Sequence, residues 1–412
     1  MSIVLSVAFS GSLKAQTYYT HPLDSCVRTL RVIADDDFRK LPVLDMEGNT
    51  HIEVSFDFLS DDQQWLSYSV VHCDARWEQD DLSEMDYLDG FLPVHVEDVA
   101  PSFNTFTNYY HYSATFPNDD VELLVSGNYA VIFHYDNEPD NVVAVATFSV
   151  SEQKAFVNGT VSSNTDIDFQ ALHQQLTMDV AWSNSQMPDL NPADDLQILV
   201  QQNRRRDNQR WITRPTRMHT GHAYFEHERD LIFEAGSHWY RFEFTDHRYP
   251  GLGVDHVRYH APFHYAYLNP VKSNPAGNYR YDQDQHGHYL VRALHVDDSD
   301  TEAEYFKAVF TLDAPASLNS RGIYLVGDLT CQEIGDETRM EYDPERGVYH
   351  KEMMLKQGAY NYQYLVPAGD RLTTAFTSGN HYETPNEYQV WVYYRPFGAR
   401  YDRLIGVGTL GK

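Results

Sequence analysis

Apolar and polar positions alternate with a period of two along most of the chain. Ile52, Val54, Phe56 and Phe58 are spaced by two, as are Tyr129, Val131, Phe133 and Tyr135, and Leu176, Met178, Val180 and Trp182; later come Tyr240, Phe242 and Phe244, then Tyr360, Tyr362, Tyr364 and Val366. Successive side chains of a strand leave on opposite faces, so each set marks one apolar face and predicts a half-buried strand. Stripes at the helical period are scarce. The pattern therefore predicts an all-β protein of antiparallel sheets.

A longer repeat lies over this one. "SGNYAVIFHY", "AGSHWYRFEF" and "QGAYNYQYLV" each place a glycine (Gly127, Gly236, Gly358) just before an aromatic alternating run. The glycines are spaced at roughly the 100 residues of one antiparallel sandwich. Each such strand should be followed by a last one, at Val142 to Val150, Val257 to Tyr267 and Tyr388 to Tyr394. The expected architecture is three tandem immunoglobulin-like β-sandwiches: 16–150, 151–268 and 301–412, with a polar linker or hairpin at 269–300.

Sixty acidic against 31 basic residues give a formal charge of −29. Such a field repels nucleic acid and anionic lipid, which leaves proteins as the expected partners. No window approaches the ~18 uninterrupted apolar residues of a membrane-spanning helix, so no direct membrane insertion is expected. Residues 1–15, "MSIVLSVAFSGSLKA", read as a signal peptide with cleavage after Ala15. No basic residue precedes Lys14, which leaves open a start upstream of Met1.

Candidate chemistry is sparse. His72, Cys73 and Asp74 stand side by side, but "LSYSVVHC" alternates, which sends His72 and Cys73 to opposite faces and breaks a base–nucleophile dyad. "YDQDQHGHY" begins like a calcium loop with Asp282, Asp284 and Gly287, then has His286 at the fifth place and Ala293 at the twelfth, where a bidentate Glu is required. His256, His260 and His264, read as one strand, would be spread over roughly 26 Å, too far for a single ion. Nucleotide, hydrolase and zinc-protease motifs are absent. No catalytic residue, metal or cofactor is expected. Cys26, Cys73 and Cys331 allow one disulfide at most, with Cys26–Cys73 the pair favoured in an oxidising compartment.

From about Tyr305 to Tyr394 the sequence resembles the small sandwich of starch- and glycogen-binding modules, in which one strand ends in Gly-Asp and a later one follows a glycine. Here Gly327-Asp328 continues into Leu329-Thr330-Cys331-Gln332, without the tryptophan that stacks on sugar. An alternative function is therefore a periplasmic or surface carbohydrate-binding protein.

A broader resemblance rests on "HCDARW", "EMDYLDGF", "SFNTFTNYYHY", "PNDDVELLVSGNYAV", "LQILVQQNRRRDNQ", "LKQGAYNYQYLV" and "VYYRPFGARYDRLIGV". Together these strings resemble the plug protein family of the type IX secretion system of the Bacteroidetes, in order, from about residue 25 to about 408. The resemblance implies a non-enzymatic periplasmic protein, held peripherally at the outer membrane. Such a protein docks on the inner mouth of the outer-membrane barrel translocon and closes its pore. Two segments that break alternation are the expected contacts: Asp86, Tyr87, Asp89 and Phe91, and Tyr393, Tyr394, Arg395, Tyr401, Asp402 and Arg403.

Overall fold

The computed structural model describes residues 17–411, so the expected leader, residues 1–15, lies outside the described residues. Strands dominate, and they assemble into several antiparallel sheets around three large apolar cores. The fold class is the all-β sandwich type that alternation predicts.

In the first core one sheet runs Val27–Ala34, Ile52–Phe58, Tyr110–Phe116, Asp98–Pro101. The facing sheet contains Glu138–Ser151, Gly127–Tyr135 and Leu66–Cys73. Val54, Phe56 and Phe58 point between them. Phe56 meets Phe133 of the opposite sheet edge to face, with ring centroids 5.1 Å apart, the geometry that aromatic quadrupoles favour. Gly127 opens its strand at φ +137°, and a Cβ there would run into the imidazole of His72 on the neighbouring strand. Both the backbone angle and the close approach exclude a side chain.

The middle core departs from the sequential order expected. Its strands Ala155–Ser162, His173–Trp182 and His222–Phe225 form one sheet, and the other runs Gln209–Ile212, Leu196–Gln202, Glu387–Tyr394, Arg403–Gly411. The last two strands of the chain thus complete the middle sandwich, with Ile198 opposite Val392 and Val200 opposite Val390. The expected C-terminal unit 301–412 is corrected accordingly. Tyr388, Val390 and Val392 face the middle core, whereas Trp391 and Tyr393 on the other face pack with Ala75 of the first sandwich.

The third core is built from residues inserted into the middle one. Tyr240–Phe244 and Gly358–Ala368 are antiparallel neighbours in its sheet, Phe242 opposite Tyr360. The glycine-led strands after Gly236 and Gly358 therefore share one sandwich and do not mark successive ones. Val254–His260 and Phe263–Leu268, expected as one final strand of the middle unit, form a hairpin in the third sandwich. His264 consequently lies on a different arm from His256 and His260. The expected linker 269–300 contributes Val271–Lys272 and Tyr289–Val291 to the sheets of this third unit.

Polar contacts lock the first sandwich to the third. Asp57, on the face of its strand opposite Phe56 and Phe58, is fully buried; it accepts hydrogen bonds from Lys356 Nζ at 2.6 Å, Tyr305 Oη at 2.6 Å and His111 Nδ1 at 2.7 Å. Arg31 pairs with Asp300 at 2.7 Å, and Tyr109 Oη donates to the Ala303 carbonyl at 2.9 Å. All three cysteines are free, so the Cys26–Cys73 bridge is not formed. Among the described residues no helix is long and apolar enough to cross a membrane.

Candidate functional site

The two segments expected to contact a partner meet each other. The short turn Glu84–Tyr87 is capped by Asp86, which accepts from the Ser83 amide at 2.9 Å and its hydroxyl at 2.7 Å. Arg400 then reaches across, 3.0 Å from the Asp86 carboxylate and 3.0 Å from the Asp81 carbonyl. The hydrogen bonds from Ser83, helped by Arg400, hold the Asp86 carboxyl down at about 2. Tyr87 is buried, its hydroxyl donating to the Val70 carbonyl, and burial pushes its phenol up to about 12.

The C-terminal segment is equally committed. Tyr393 is buried and donates to Asn128 Oδ1 of the first sandwich at 3.0 Å, and Tyr394 packs in the middle core. Asp402 is buried, accepts from the Ala75 amide at 3.0 Å, and lies 3.5 Å from Arg395. Tyr401 sets its ring edge to face on His72, centroids 5.5 Å apart. Arg403 grips Glu152 with two hydrogen bonds of 2.7 and 2.6 Å. Of the expected contact residues, Tyr87, Tyr393, Tyr394 and Asp402 are thus internal, while Asp89 and Phe91 stay exposed, Phe91 at 91%.

Glu152 gives this junction a pH dependence. Burial alone would raise its carboxyl, but hydrogen bonds from Arg403, Lys154 and Ser126 outweigh that and hold it down at about 2. A depressed folded-state pKa contributes stability that is complete above the unfolded value and lost as pH falls through the folded one. Denaturant midpoints of the wild type should therefore fall, relative to Glu152→Gln, between about pH 4.5 and pH 2. Parallel curves over that window would refute the assignment.

His72 and Cys73 lie on opposite faces. The His72 ring packs with Tyr87, Tyr129 and Tyr401, its Nδ1 2.5 Å from the Asp80 carboxylate and its Nε2 3.2 Å from the Ser126 carbonyl. Cys73 packs with Tyr18, Ala130 and Val145, and burial raises its thiol pKa well above the ordinary value. Neither ring nitrogen is turned to the thiol, so the pair is structural. In the calcium-like loop Asp284 accepts from the Trp239 amide at 2.8 Å and Asp282 pairs with Arg241 at 2.8 Å. Among the described residues no group of three His, Cys, Asp or Glu side chains could hold a metal. At the sugar-module position, Asp328 is bound to His288 Nδ1 at 2.5 Å.

Sequence reasoning missed Arg400, the residue that joins the two segments. It also missed an aromatic patch at the seam of the first and third sandwiches, formed by the exposed Phe106 and Tyr259 with the half-buried His264; Phe106 is 6.4 Å from Tyr259 and 6.1 Å from His264, and Phe103 and Tyr249 are also exposed. The string "SFNTFTN", with phenylalanines set among small polar residues, carried the available signal.

Residues 27–152, the first sandwich, match the family described as type 9 secretion system plug protein, first domain. The chain belongs to the type 9 secretion system plug protein family. A likeness over almost the whole chain is found to the crystal structure of a hypothetical protein from Parabacteroides merdae ATCC 43184, which is 38% identical, covers 96% of this chain and 100% of its own, and superimposes with a TM-score of 0.93. No curated protein matches. The match places this plug-family chain in type IX secretion, and that family is not an enzyme family.

Proposed function

We propose that the chain is a non-enzymatic, periplasmic plug that docks on the inner mouth of the outer-membrane type IX translocon and closes its pore. The observation that carries this reading is the locking of three sandwiches into one block, by Asp57 with Lys356 and by Arg400 and Arg403 with Asp86 and Glu152. A cover for a wide pore needs a broad surface that does not bend at its joints. Sheets joined by charge pairs, the Asp57–Lys356 pair fully buried, supply one.

Docking uses what remains exposed. Phe91 beside the exposed Asp89, and the patch of Phe106 with Tyr259, present exposed apolar area. An interface of stable size buries at least about 1,200 Å² in total. The charge of −29 favours a basic or polar rim and makes association salt-sensitive.

Translocon purified from native outer membranes should retain the chain at low salt and release it as salt rises. Cells lacking it should admit bulky solutes through the outer membrane, and the mature protein should restore the barrier. Unchanged permeability, with translocon that purifies free of the chain under mild detergent, would overturn the proposal.

A further inference from the structure

A cavity of about 340 Å³ opens where the three sandwiches meet, a volume within the range of small-molecule sites. The first sandwich contributes the strand from Leu30 to Ile33, the middle one Leu199, Arg204 and Trp391, and the third Tyr289 and Gln332. Its walls are largely apolar and aromatic, and its charged groups are unusual for this chain.

Arg76, Arg204 and Arg206 all line the cavity, and among the described residues none of the three forms an ion pair with a carboxylate. Carboxylates outnumber basic residues 60 to 31, yet none of them pairs with these three guanidinium groups gathered around one space. Each is instead fixed by neutral groups. Arg76 lies 3.6 Å above the Trp211 ring; Arg206 lies 4.2 Å from the Tyr19 centroid and donates to the Cys331 carbonyl at 2.9 Å; Arg204 donates to the Arg39 carbonyl. The lining does contain Asp328, but its carboxylate is taken by His288 at 2.5 Å and by Gln332 Nε2 at 2.9 Å.

Three of the residues that line the cavity also carry a buried polar atom without a protein partner. Arg204 Nε, Arg31 Nε and Gln332 Oε1 are buried and unpartnered, three of nine such side-chain atoms among the described residues. Burial lowers the pKa of Arg204 and Arg206, outweighing the attraction of Asp328 for Arg204 and of Glu333 for Arg206.

We propose that this cavity binds a small organic anion, a flat apolar body carrying a carboxylate or sulfonate head. Arg204 and Arg206 hold the head through charge-assisted hydrogen bonds, Arg76 attracts it from the exposed rim, and Tyr19, Phe38 and Trp391 cover the body. Because the site takes walls from all three sandwiches, occupancy raises the melting temperature of the whole chain. This inference stands independently of docking on a translocon.

The test uses the full chain and two probes that differ by one charged group, 8-anilinonaphthalene-1-sulfonate and its neutral counterpart N-phenyl-1-naphthylamine, followed by fluorescence. The sulfonate should bind saturably at one site per chain, at least about tenfold more tightly than the neutral probe, and raise the melting temperature. Arg204→Gln should weaken the sulfonate about tenfold and leave the neutral probe unchanged, with Arg76→Gln, at an exposed position, acting in the same direction should Arg204→Gln fold poorly. Phe106→Ser, in the distant surface patch, should leave the isotherm unaltered. Equal affinity for both probes, no effect of either arginine substitution, or loss of sulfonate binding in Phe106→Ser would each overturn the proposal.

Discussion

Lys356→Met should destabilise the folded chain by about 3 to 5 kcal/mol, the range for removing one partner of a buried ion pair. Lys356 and Asp57 side chains have no exposure, and Nζ sits 2.6 Å from the carboxylate. Burial alone would raise the Asp57 carboxyl; attraction to Lys356 and the hydrogen bond from His111 outweigh it and keep the group ionised. Methionine fills the space of the lysine stem but leaves that charge with only His111 and Tyr305. Asp57→Asn should cost a similar amount by stranding the ammonium. The double variant should cost clearly less than the two singles together, because it removes both buried charges. Urea denaturation of the four proteins measures this coupling. Single variants that each lose under about 1 kcal/mol, below the range for a broken buried pair, would show that the pair does not hold the first and third sandwiches together.

That pair also shows what local pattern leaves out. Alternation placed Val54, Phe56 and Phe58 on one face of their strand, and all three are in the first core. The same alternation assigns Ser55 and Asp57 to a polar face that would ordinarily meet solvent, yet both are buried because the third sandwich lies over them. Period-two reading identifies the two faces of a strand; what covers the second face is decided by residues hundreds of positions away. The unbroken run "VWVYY" from Val390 to Tyr394 did carry a signal, since a strand buried on both faces needs no alternation. Its partners, Leu196–Gln202 on one edge and the first sandwich across one face, cannot be read from it. The candidate contacts fared likewise. Tyr393, Asp402 and Arg403 break the pattern because they meet another sandwich of the same chain, and an aromatic or charged side chain facing an internal neighbour looks the same in sequence as one facing a partner.

The largest structural consequence of the inserted order is that ending the chain at Asn386 should abolish the middle sandwich, although the deleted residues lie far from it in sequence. Residues 387–411 supply Tyr388, Val390, Val392, Tyr394, Ile405 and Leu410, six of the twenty buried residues of that core. At about 2 to 5 kcal/mol for each large buried side chain lost, the total exceeds the 5 to 15 kcal/mol by which a domain is stable. The deletion would also bare an edge of Leu196–Gln202, whose partner is Glu387–Tyr394, and unpaired edges promote aggregation. The opposite deletion should be tolerated. Asn386 Nδ2 donates to the Ala235 carbonyl at 2.7 Å, so the two ends of the insertion lie side by side, and a short Gly-Ser linker from Ala235 to Asn386 can replace the third sandwich without moving either strand. Purified and melted side by side, the excised chain should unfold cooperatively as a soluble protein, and the truncated chain should aggregate or show only the transitions of its remaining sandwiches. A sequential arrangement makes the reverse prediction, in which truncation spares residues 151–268 and excision destroys them; a soluble truncated chain that keeps its middle-core transition would therefore overturn the inserted order.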